Sequence, residues 1–406
     1  MSGTARKNEI EVEARASQLD AEYVLPTYNR LPLQIVSGRG TEVVGADGRT
    51  YLDFVTGLSV NNFGHCHPRV VAAVREQVGR LIHCSNLFLT EPQARVAARL
   101  SGLAGGGRVF FSNSGAEANE CALKIARKRG TETGGGRIVF VEHSFHGRTI
   151  GTLSATGQPS KQAPFGLPLP GYQMVPRHDA DALRASFAAG GVAAFIAEPV
   201  QGESGVHPLG AEYLQEAETL CRENDAIFIM DEIQTGLGRC GAPFAYQRYG
   251  LNPDVVTLAK SLAGGLPIGA TIARNAAANV LTAGDHGTTF GGGPVPGAAA
   301  LVVLDLLEEP GLFARVEQAG RRLEGWLQRL VDKGAAETVR RLGLMVATDL
   351  VEPIAREIVT TGIQEGVLVN ATSEVTLRFL PPLTVSDEEI DRVGEFLWRH
   401  LGDGRQ

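Results

Sequence analysis

The chain has 406 residues, of which 43% are hydrophobic and 20% charged, and its formal net charge is −7. This composition is typical of a soluble globular protein with two or three domains. The acidic balance argues against nucleic acid or an anionic membrane as the main partner, no apolar run predicts a membrane span, and residues 1–21 lack the apolar segment of a secretory signal.

The first two thirds of the chain predict an α/β fold with a largely parallel sheet. Near the N-terminus, Thr41–Val44 and Arg49–Phe54 flank an Asp47-Gly48 turn and predict a hairpin. From about residue 108 to 270, short apolar runs alternate with amphipathic segments. The predicted strands are Arg108–Phe111, Ile138–Glu142, Ala194–Glu198, Ile227–Asp231 and Val255–Ala259. The predicted helices are Ala116–Lys128, Ala180–Ala189 and Ala211–Asn224.

The last hundred residues instead predict a smaller α+β domain. Ser386 is well placed as the N-cap of the final helix. We expect residues 61–299 to form the large domain, residues 300–406 the small domain, and residues 1–60 a segment that joins the small domain. The predicted elements of the C-terminal part are helix Leu312–Val331, strands Leu344–Leu350, Val367–Asn370 and Val375–Phe379, and helix Asp387–Leu401.

Several predicted strands end on, or just before, a polar residue: Glu142, Glu198, Asp231 or Lys260. Because ligands bind beyond the carboxyl ends of parallel strands, we expect these residues to share one crevice. Lys260 also precedes Gly264-Gly265, and a lysine in such a pocket can have a lowered pKa and attack carbonyls. The local sequence leaves open a solvated loop lysine and a purely structural Asp231.

Other segments suit a phosphorylated ligand. Ser112–Asn119 lies at a strand-to-helix junction, where free amide groups and the helix dipole favour a phosphate, although it lacks P-loop or dinucleotide-fingerprint spacing. The hydroxyl-rich segment His286–Gly293 either contributes hydroxyl groups near a phosphate or is a loop without a binding role. Phe145 either stacks on the ring of a ligand or packs in the core. With Lys260 and Asp231, these features indicate a site for an aldehyde cofactor that bears a phosphate.

Neither the histidines nor the cysteines indicate a metal site. His143 and His146 have His-x-x-His spacing beside Glu142, but they lie in a predicted loop without a convincing third ligand. The five cysteines are scattered, so we expect reduced thiols in a cytoplasmic protein. These are Cys66, Cys84, Cys121, Cys221 and Cys240.

From about Tyr28 to Pro382 the chain resembles the class III aminotransferases of pyridoxal-phosphate (PLP) fold type I. Within the class it most resembles acetylornithine aminotransferases. The resemblance implies a large domain, with a mostly parallel sheet flanked by helices, and a smaller α+β domain. The matching motifs are Tyr51–Phe54, Gly64–Pro68, Leu81–Asn86, Phe111–Asn119, His146–Thr149, Leu153–Gln158, Glu198–Glu203, Asp231–Gly236, Ala259–Leu262 and Gly287–Gly292.

The resemblance also implies PLP as the cofactor. It makes Lys260 the Schiff-base lysine, which also shuttles a proton between cofactor and substrate carbon. It makes Asp231 the partner of the pyridinium nitrogen. The remaining implied contacts are Phe145 on the ring, Gln234 near the ring hydroxyl, Gly115 and Ala116 at the phosphate, and Thr289 of the neighbouring subunit, also at the phosphate.

The substrate residues implied by the resemblance include a carboxylate switch in a homodimer with shared active sites. Arg148 binds a substrate carboxylate, Thr288 lies near the substrate across the dimer interface, and Tyr28 lines the entrance. Glu203 neutralises Arg378 while a terminal-amine donor reacts, then releases it to form a bidentate pair with glutamate. A structural ion pair is the alternative for these two residues.

Two departures from the family pattern bear on the choice of donor. Gly293–Gly297 replaces a usual Asn-Pro-Leu run, and Cys240 replaces a usual threonine. Every implied catalytic group remains in place.

The leading interpretation is ping-pong transfer of the terminal amino group of N2-acetylornithine to 2-oxoglutarate in arginine biosynthesis. The products are N-acetylglutamate 5-semialdehyde and glutamate. Alternative donors are ornithine, succinylornithine, lysine derivatives and 4-aminobutyrate. An aminomutase on the same fold and a cofactor-binding protein without turnover are the remaining alternatives.

Overall fold

The computed structural model describes residues 16–402, and every structural statement below concerns that part of the chain. The strands are β1 Ile35–Arg39, β2 Glu42–Gly45, β3 Thr50–Asp53, β4 Arg108–Ser112, β5 Arg137–Val141, β6 Tyr172–Val175, β7 Val192–Ala197, β8 Val200–Gln201, β9 His207–Pro208, β10 Ile227–Asp231, β11 Val255–Leu258, β12 Gly269–Ala273, β13 Ala336–Leu342, β14 Met345–Leu350, β15 Val367–Leu368, β16 Asn370–Ala371 and β17 Thr376–Phe379. The α-helices of five or more residues that follow Ile35 are α1 Pro68–Arg80, α2 Glu91–Leu103, α3 Gly115–Thr133, α4 Ile150–Ser154, α5 Ala180–Ala188, α6 Ala211–Glu223, α7 Pro294–Leu307, α8 Leu312–Asp332, α9 Ala355–Glu365 and α10 Asp387–Leu397. Residues 16–23 are also helical.

A seven-stranded sheet forms the centre of the molecule, in the order β4-β12-β11-β10-β7-β5-β6. Only β12 runs antiparallel to its neighbours. Every residue of β7 and β10 is buried, as expected for strands covered on both faces. The predicted α/β fold with a largely parallel sheet is confirmed. Strands β6 and β12 were not predicted, because they are short and β12 is rich in small residues.

A second sheet joins the two ends of the chain, in the order β1-β2-β3-β15. The predicted hairpin is present as antiparallel β2 and β3. The prediction of one strand over Val367–Asn370 is wrong, because the backbone passes there from one sheet to another. Val367 pairs in parallel with Leu52, whereas Asn370 pairs antiparallel with Arg378.

The C-terminal part contains an antiparallel sheet in the order β13-β14-β17-β16, with α8 packed against β13. Strand β13 was not predicted, because its charged Arg340 and Arg341 interrupt the apolar pattern. The predicted cap is present: Ser386 and Glu389 form a reciprocal capping box at the start of α10. The last helix ends at Leu397 and continues as a π turn over Trp398–Gly402.

The division into domains stays a prediction. Helix α7 crosses position 299 and lies against α1 and α2. The five cysteines are free thiols. No helix within residues 16–402 is long and apolar enough to cross a bilayer.

Candidate active site

The carboxyl ends of the central strands open onto one cavity. Asp231 ends β10, while Glu198 and Lys260 lie just beyond β7 and β11. All three line a cavity of about 410 Å³. Glu142 does not line it, so the predicted shared crevice is wrong for this residue. Its strand β5 lies beyond β7 in the sheet, and its carbonyl oxygen accepts a 2.8 Å hydrogen bond from Gln201 Nε2 instead.

Lys260 is held in a strained and partly desolvated position. It begins a short 3₁₀ turn with φ 42°, in the left-handed region, and such strain concentrates at functional sites. Burial lowers the pKa of Lys260, although the carboxylates of Glu203 and Asp231 oppose that shift. Among the described residues, no carboxylate lies within ion-pair distance of Nζ. Burial therefore shifts Nζ toward the neutral amine, the form that attacks carbonyls.

Asp231 is fixed by two side chains from other segments and by one backbone N–H group. Its Oδ2 accepts hydrogen bonds from Asn119 Nδ2 at 2.7 Å and pairs with His146 Nδ1 at 2.8 Å. Its Oδ1 accepts from the backbone N–H of Ile233 at 3.0 Å. Asn119 is itself oriented by Thr257, whose hydroxyl donates to Asn119 Oδ1 at 2.7 Å. This network holds a carboxylate that is only 3% exposed at the base of the cavity.

His143 and His146 do not converge on one point. His146 is buried and turned toward Asp231, whereas the side chain of His143 is half exposed and lies 3.8 Å from Glu142. Within residues 16–402, no group of three His, Cys, Asp or Glu side chains is arranged to hold a metal ion. The buried His146 Nε2 has no hydrogen-bond partner in this part of the chain.

The strand-to-helix junction after β4 forms one wall of the cavity, through Asn113, Ser114, Gly115 and Ala116. Ser114 caps α3 by accepting a hydrogen bond from the backbone N–H of Glu117. A Cβ atom at Gly115 would come within 2.8 Å of the Ile233 side chain, so only glycine permits this close approach. The first turn of α3 directs backbone N–H groups and its positive dipole toward the cavity, which suits a phosphate.

Phe145 and Arg148 line the outer part of the cavity. Glu198 positions this segment, because its Oε1 accepts a 2.9 Å hydrogen bond from the backbone N–H of Phe145. Burial and the nearby Asp231 raise the pKa of Glu198 well above its usual range. The guanidinium of Arg148 lies 5.5 Å from the centroid of the Phe145 ring and is exposed.

The predicted Arg378–Glu203 pair is present beside Lys260. Arg378 is 2% exposed, and its Nη1 donates to Glu203 Oε1 at 2.9 Å. Gln234 Nε2 donates to the same oxygen at 3.2 Å. Burial opposes the charge of Glu203, but Arg378 and Lys260 outweigh it and lower the pKa to about 2. Asn370 Oδ1 accepts from two nitrogens of Arg378 at 3.1 and 2.8 Å, so the guanidinium keeps its orientation.

Comparison with known proteins identifies the family. Residues 23–401 match the model of the family described as aminotransferase class-III. The chain belongs to the class III aminotransferases. It is 44% identical to an acetylornithine aminotransferase of Caldanaerobacter subterraneus subsp. tengcongensis over 93% of this chain and 97% of that one. It is 45% identical to an acetylornithine aminotransferase of Methanocaldococcus jannaschii over 92% of this chain and 94% of that one.

Solved structures share the fold. The ornithine aminotransferase of Toxoplasma gondii ME49 superposes with a TM-score of 0.91 at 33% identity, covering 96% of this chain and 94% of that one. Another structure of the Toxoplasma gondii enzyme has PLP at partial occupancy in its active site. The chain is therefore an enzyme of a PLP-dependent transaminase family.

Three residues expected at the aminotransferase site lie outside its cavity. Thr289 belongs to a separate surface pocket with His83 and Phe290. The Thr288 hydroxyl accepts a 3.3 Å hydrogen bond from Asn113 Nδ2 at the edge of the site. Tyr28 is 76% exposed. Thr288 and Thr289 were expected to serve the neighbouring subunit, and the roles of all three stay predictions.

The two departures from the family pattern also lie outside the cavity lining. Gly293 is the N-cap of α7, whose first residue is Pro294, a position that suits proline. Cys240 is fully buried among apolar side chains, including Val200 and Met345, and burial raises the pKa of its thiol.

The structure adds Asn119, His146 and Asn370 to the site residues predicted from the sequence, and it confirms the predicted place of Glu198 in the crevice. Asn119 could have been found from its spacing, because it lies one helical turn after Gly115 and so faces the same edge of the sheet. His146 and Asn370 depend on contacts between distant segments, which no local pattern indicates.

Proposed function

We propose that this aminotransferase uses PLP to move the terminal amino group of N2-acetylornithine to 2-oxoglutarate. The products are N-acetylglutamate 5-semialdehyde and glutamate. The names of relatives at 41–45% identity support the donor, and the cavity supports the chemistry.

The residues that line the cavity fit PLP. The N-terminus of α3 would hold the phosphate through Gly115 and Ala116, and Phe145 would lie against the ring. Asp231 would hold the ring nitrogen in its protonated form, and Gln234 would lie near the ring hydroxyl. When bound, PLP supplies an electron sink for charge that develops on the substrate carbon.

Lys260 and Asp231 have different roles in the reaction. Lys260 Nζ takes the proton from the amine-bearing carbon of the donor and returns it during transfer to the acceptor. Burial lowers the pKa of Lys260, which favours the unprotonated form that this role requires. Asp231 does not move a proton; its carboxylate stays fixed by Asn119 and His146.

The Arg378–Glu203 pair is the observation that carries the choice of donor class. A terminal-amine donor brings no carboxylate beside the reacting carbon, so Arg378 must be neutralised by the protein. Glu203 does this at 2.9 Å. Glutamate does bring a carboxylate, and Arg378 can bind it in bidentate geometry once Glu203 moves away. The distal carboxylate of either substrate is assigned to Arg148.

A panel of amine donors with 2-oxoglutarate tests the proposal. The donors are N2-acetylornithine, N2-succinylornithine, ornithine, 4-aminobutyrate and an acylated lysine, and glutamate formation is the readout. We expect N2-acetylornithine to have a higher kcat/KM than ornithine or 4-aminobutyrate. Turnover of ornithine without 2-oxoglutarate would instead indicate an aminomutase, and no glutamate from any donor would reject the proposal.

We also infer that a second copy of the chain completes the site. Leu87, Phe88 and Leu89 are 86%, 67% and 101% exposed, and Phe290 beside them is 65% exposed. Such a contiguous apolar surface marks a protein interface. The Asn86 side chain links it to the backbone of Thr288 at 3.0 Å. Light scattering of the wild type and of Phe88→Asp tests this, with a dimer expected for the first and a monomer of reduced activity for the second.

A further inference from the structure

Glu203 lies in a tight turn at the tip of a short hairpin. Strands β8 and β9 pair antiparallel, and the backbone N–H of Gly205 donates to the carbonyl oxygen of Gly202 at 3.2 Å. Val206, which follows this turn, is fully buried and has φ 57°. A β-branched residue in this left-handed region is strained, and it keeps that conformation only where its surroundings impose it. The contacts around the turn Gly202–Gly205 therefore determine its shape.

Two arginines from one face of the C-terminal sheet hold the two ends of this turn. Arg340 on β13 and Arg378 on β17 both pair with Ala347 of β14, from opposite sides. Directly paired residues project from the same face of a sheet, so the two guanidinium groups flank the small side chain of Ala347. Arg378 Nη1 donates to the carbonyl oxygen of Gly202 at 2.8 Å. Arg340 Nε donates to the carbonyl oxygen of Gly205 at 2.9 Å. The backbone of the turn is thus fixed at both ends.

Arg340 is itself oriented by a carboxylate of the same sheet. Its two terminal nitrogens bind the two oxygens of Asp349 in a bidentate arrangement, with Nη2 at 2.7 Å from Oδ1. The ion pair is mostly buried, since the side chains of Arg340 and Asp349 are 15% and 22% exposed. The Thr376 hydroxyl donates to Asp349 Oδ1 at 2.7 Å. Strand β17 therefore carries both Arg378 and the hydroxyl group that steadies the ion pair at the other end of the turn.

A fixed turn matters because Glu203 must leave Arg378 and return to it in every catalytic cycle. If the turn were loose, its backbone would have to be ordered each time the ion pair formed again, and that loss of conformational entropy would weaken the pair. With both ends of the turn bound, the movement is confined to the Glu203 side chain.

We propose that Arg340, oriented by Asp349, is a positioning residue that fixes the turn Gly202–Gly205, so that Glu203 meets Arg378 in one geometry. Arg340 is not among the residues that line the cavity, so it acts through the turn and not by contact with a substrate. Its effect is on the balance between the two substrates that use the site in turn. This inference rests on the proposed function for the exchange of partners at Arg378.

The binding test uses glutarate, which has two carboxylates and no amine to transfer. A glutarate carboxylate can bind Arg378 only when Glu203 has moved away, so its Kd measures how firmly Glu203 is held. Isothermal titration of the cofactor-loaded enzymes gives this Kd. We expect Arg340→Gln to tighten glutarate binding about threefold and Glu203→Ala to tighten it about tenfold. Arg356→Gln, at an exposed arginine paired with Glu374, is the matched control and should leave the Kd unchanged.

The double variant shows whether Arg340 acts through Glu203. Without Glu203 the position of its turn no longer affects Arg378, so adding Arg340→Gln to Glu203→Ala should change the glutarate Kd by less than about twofold. A residue that only stabilises the C-terminal sheet would have the same effect in both backgrounds. The ratio of kcat/KM for glutamate to kcat/KM for N2-acetylornithine should rise about threefold in Arg340→Gln and no further when Arg340→Gln is added to Glu203→Ala.

Asp349→Asn keeps the test decisive if Arg340→Gln does not fold. It retains Arg340 and the size of the side chain at 349 but removes the charge that orients the arginine, so it should act in the same direction. Unchanged or weaker glutarate binding in the folded variants would overturn the inference, as would an equal effect with and without Glu203. A Kd that Glu203→Ala also leaves unchanged would reject the exchange of partners itself, and the inference with it. Tighter glutarate binding without glutamate formation from any donor would overturn the proposed function and leave the positioning role supported.

Discussion

The two ends of the cavity are built differently. The floor, defined here as Asn119, His146, Asp231, Thr257 and Lys260, lies at the carboxyl ends of central strands or on the elements packed against them. Four of its members are buried, and hydrogen bonds of 2.7 to 2.8 Å join them. The rim, defined here as Phe145, Arg148 and Lys161, projects from loops and a short helix, and its cations have no acidic partner among the described residues.

This difference separates the chemistry from the choice of substrate. A rigid, desolvated floor suits a cofactor that every substrate uses in turn, because preorganised dipoles need no rearrangement during reaction. An exposed rim with unpaired charges can bind anions of several shapes. Glu203 and Arg378 lie between the two regions and connect them, since they respond to whether a carboxylate lies beside the reacting carbon.

The largest effect is expected when the floor loses Lys260. Lys260→Ala removes the amine that attacks the carbonyl group and carries the proton, so kcat should fall by about 10⁴-fold. Glutamate formation from N2-acetylornithine measures the rate, and the visible absorbance of the bound cofactor should change at the same time. Lys333→Ala, at an exposed position, should leave both unchanged. A Lys260→Ala enzyme with the rate and spectrum of the wild type would exclude a chemical role for the floor.

A smaller effect is expected on stability when the floor loses Asn119. Asn119→Ala leaves the Thr257 hydroxyl and the His146 carbonyl without a partner in a buried site, so the free energy of unfolding should fall by about 3 kcal/mol. Arg148→Gln at the rim should change it by less than about 0.5 kcal/mol. Urea unfolding of the two variants beside the wild type measures both values. Similar losses for the two would contradict the contrast between floor and rim.

The sequence predicts the residues of the floor at the strand ends better than the residues of the rim. Asp231 and Lys260 could be found from the sequence because each lies at or just after a buried apolar strand, and parallel strands bring their carboxyl ends together. The central sheet was predictable for the same reason. The position of Glu142 at the end of a strand was not sufficient to predict that it lies outside the cavity, because the order of strands in the sheet places β5 away from Lys260.

The remaining parts of the site depend on contacts that no local pattern contains. His146 meets Asp231 across 85 residues, and its His-x-x-His spacing from His143 gives no indication of that contact. Lys161 reaches the rim through the fold of the segment after α4. Thr288, Thr289 and Tyr28 lie outside the cavity lining, and their roles stay predictions.

The link between floor and rim is tested by Glu203→Ala. Without Glu203 the charge of Arg378 is no longer neutralised, which favours glutamate and disfavours the terminal-amine donor. The ratio of kcat/KM for glutamate to kcat/KM for N2-acetylornithine should rise about tenfold, as expected for a hydrogen bond to a charged group. Single half-reactions followed by cofactor absorbance give both constants. Glu142→Ala, whose carboxylate lies outside the cavity, should leave the ratio unchanged, and an unchanged ratio in Glu203→Ala would reject the switch.

The smallest effect is expected from pH, because Glu203 should stay ionised throughout the neutral range. Burial opposes its charge, but Arg378 and Lys260 lower its pKa from 4.5 to about 2. A depressed carboxyl pKa stabilises the fold fully above the unfolded value, and this contribution is lost as pH falls from about 4.5 toward 2. The difference in unfolding free energy between wild type and Glu203→Gln should therefore stay constant within about 0.3 kcal/mol from pH 8 to 6 and change only below about pH 4.5. Urea unfolding across this range measures it. A difference that already changes between pH 8 and 6 would mean that burial outweighs Arg378 and raises the pKa of Glu203, which would contradict the ion pair.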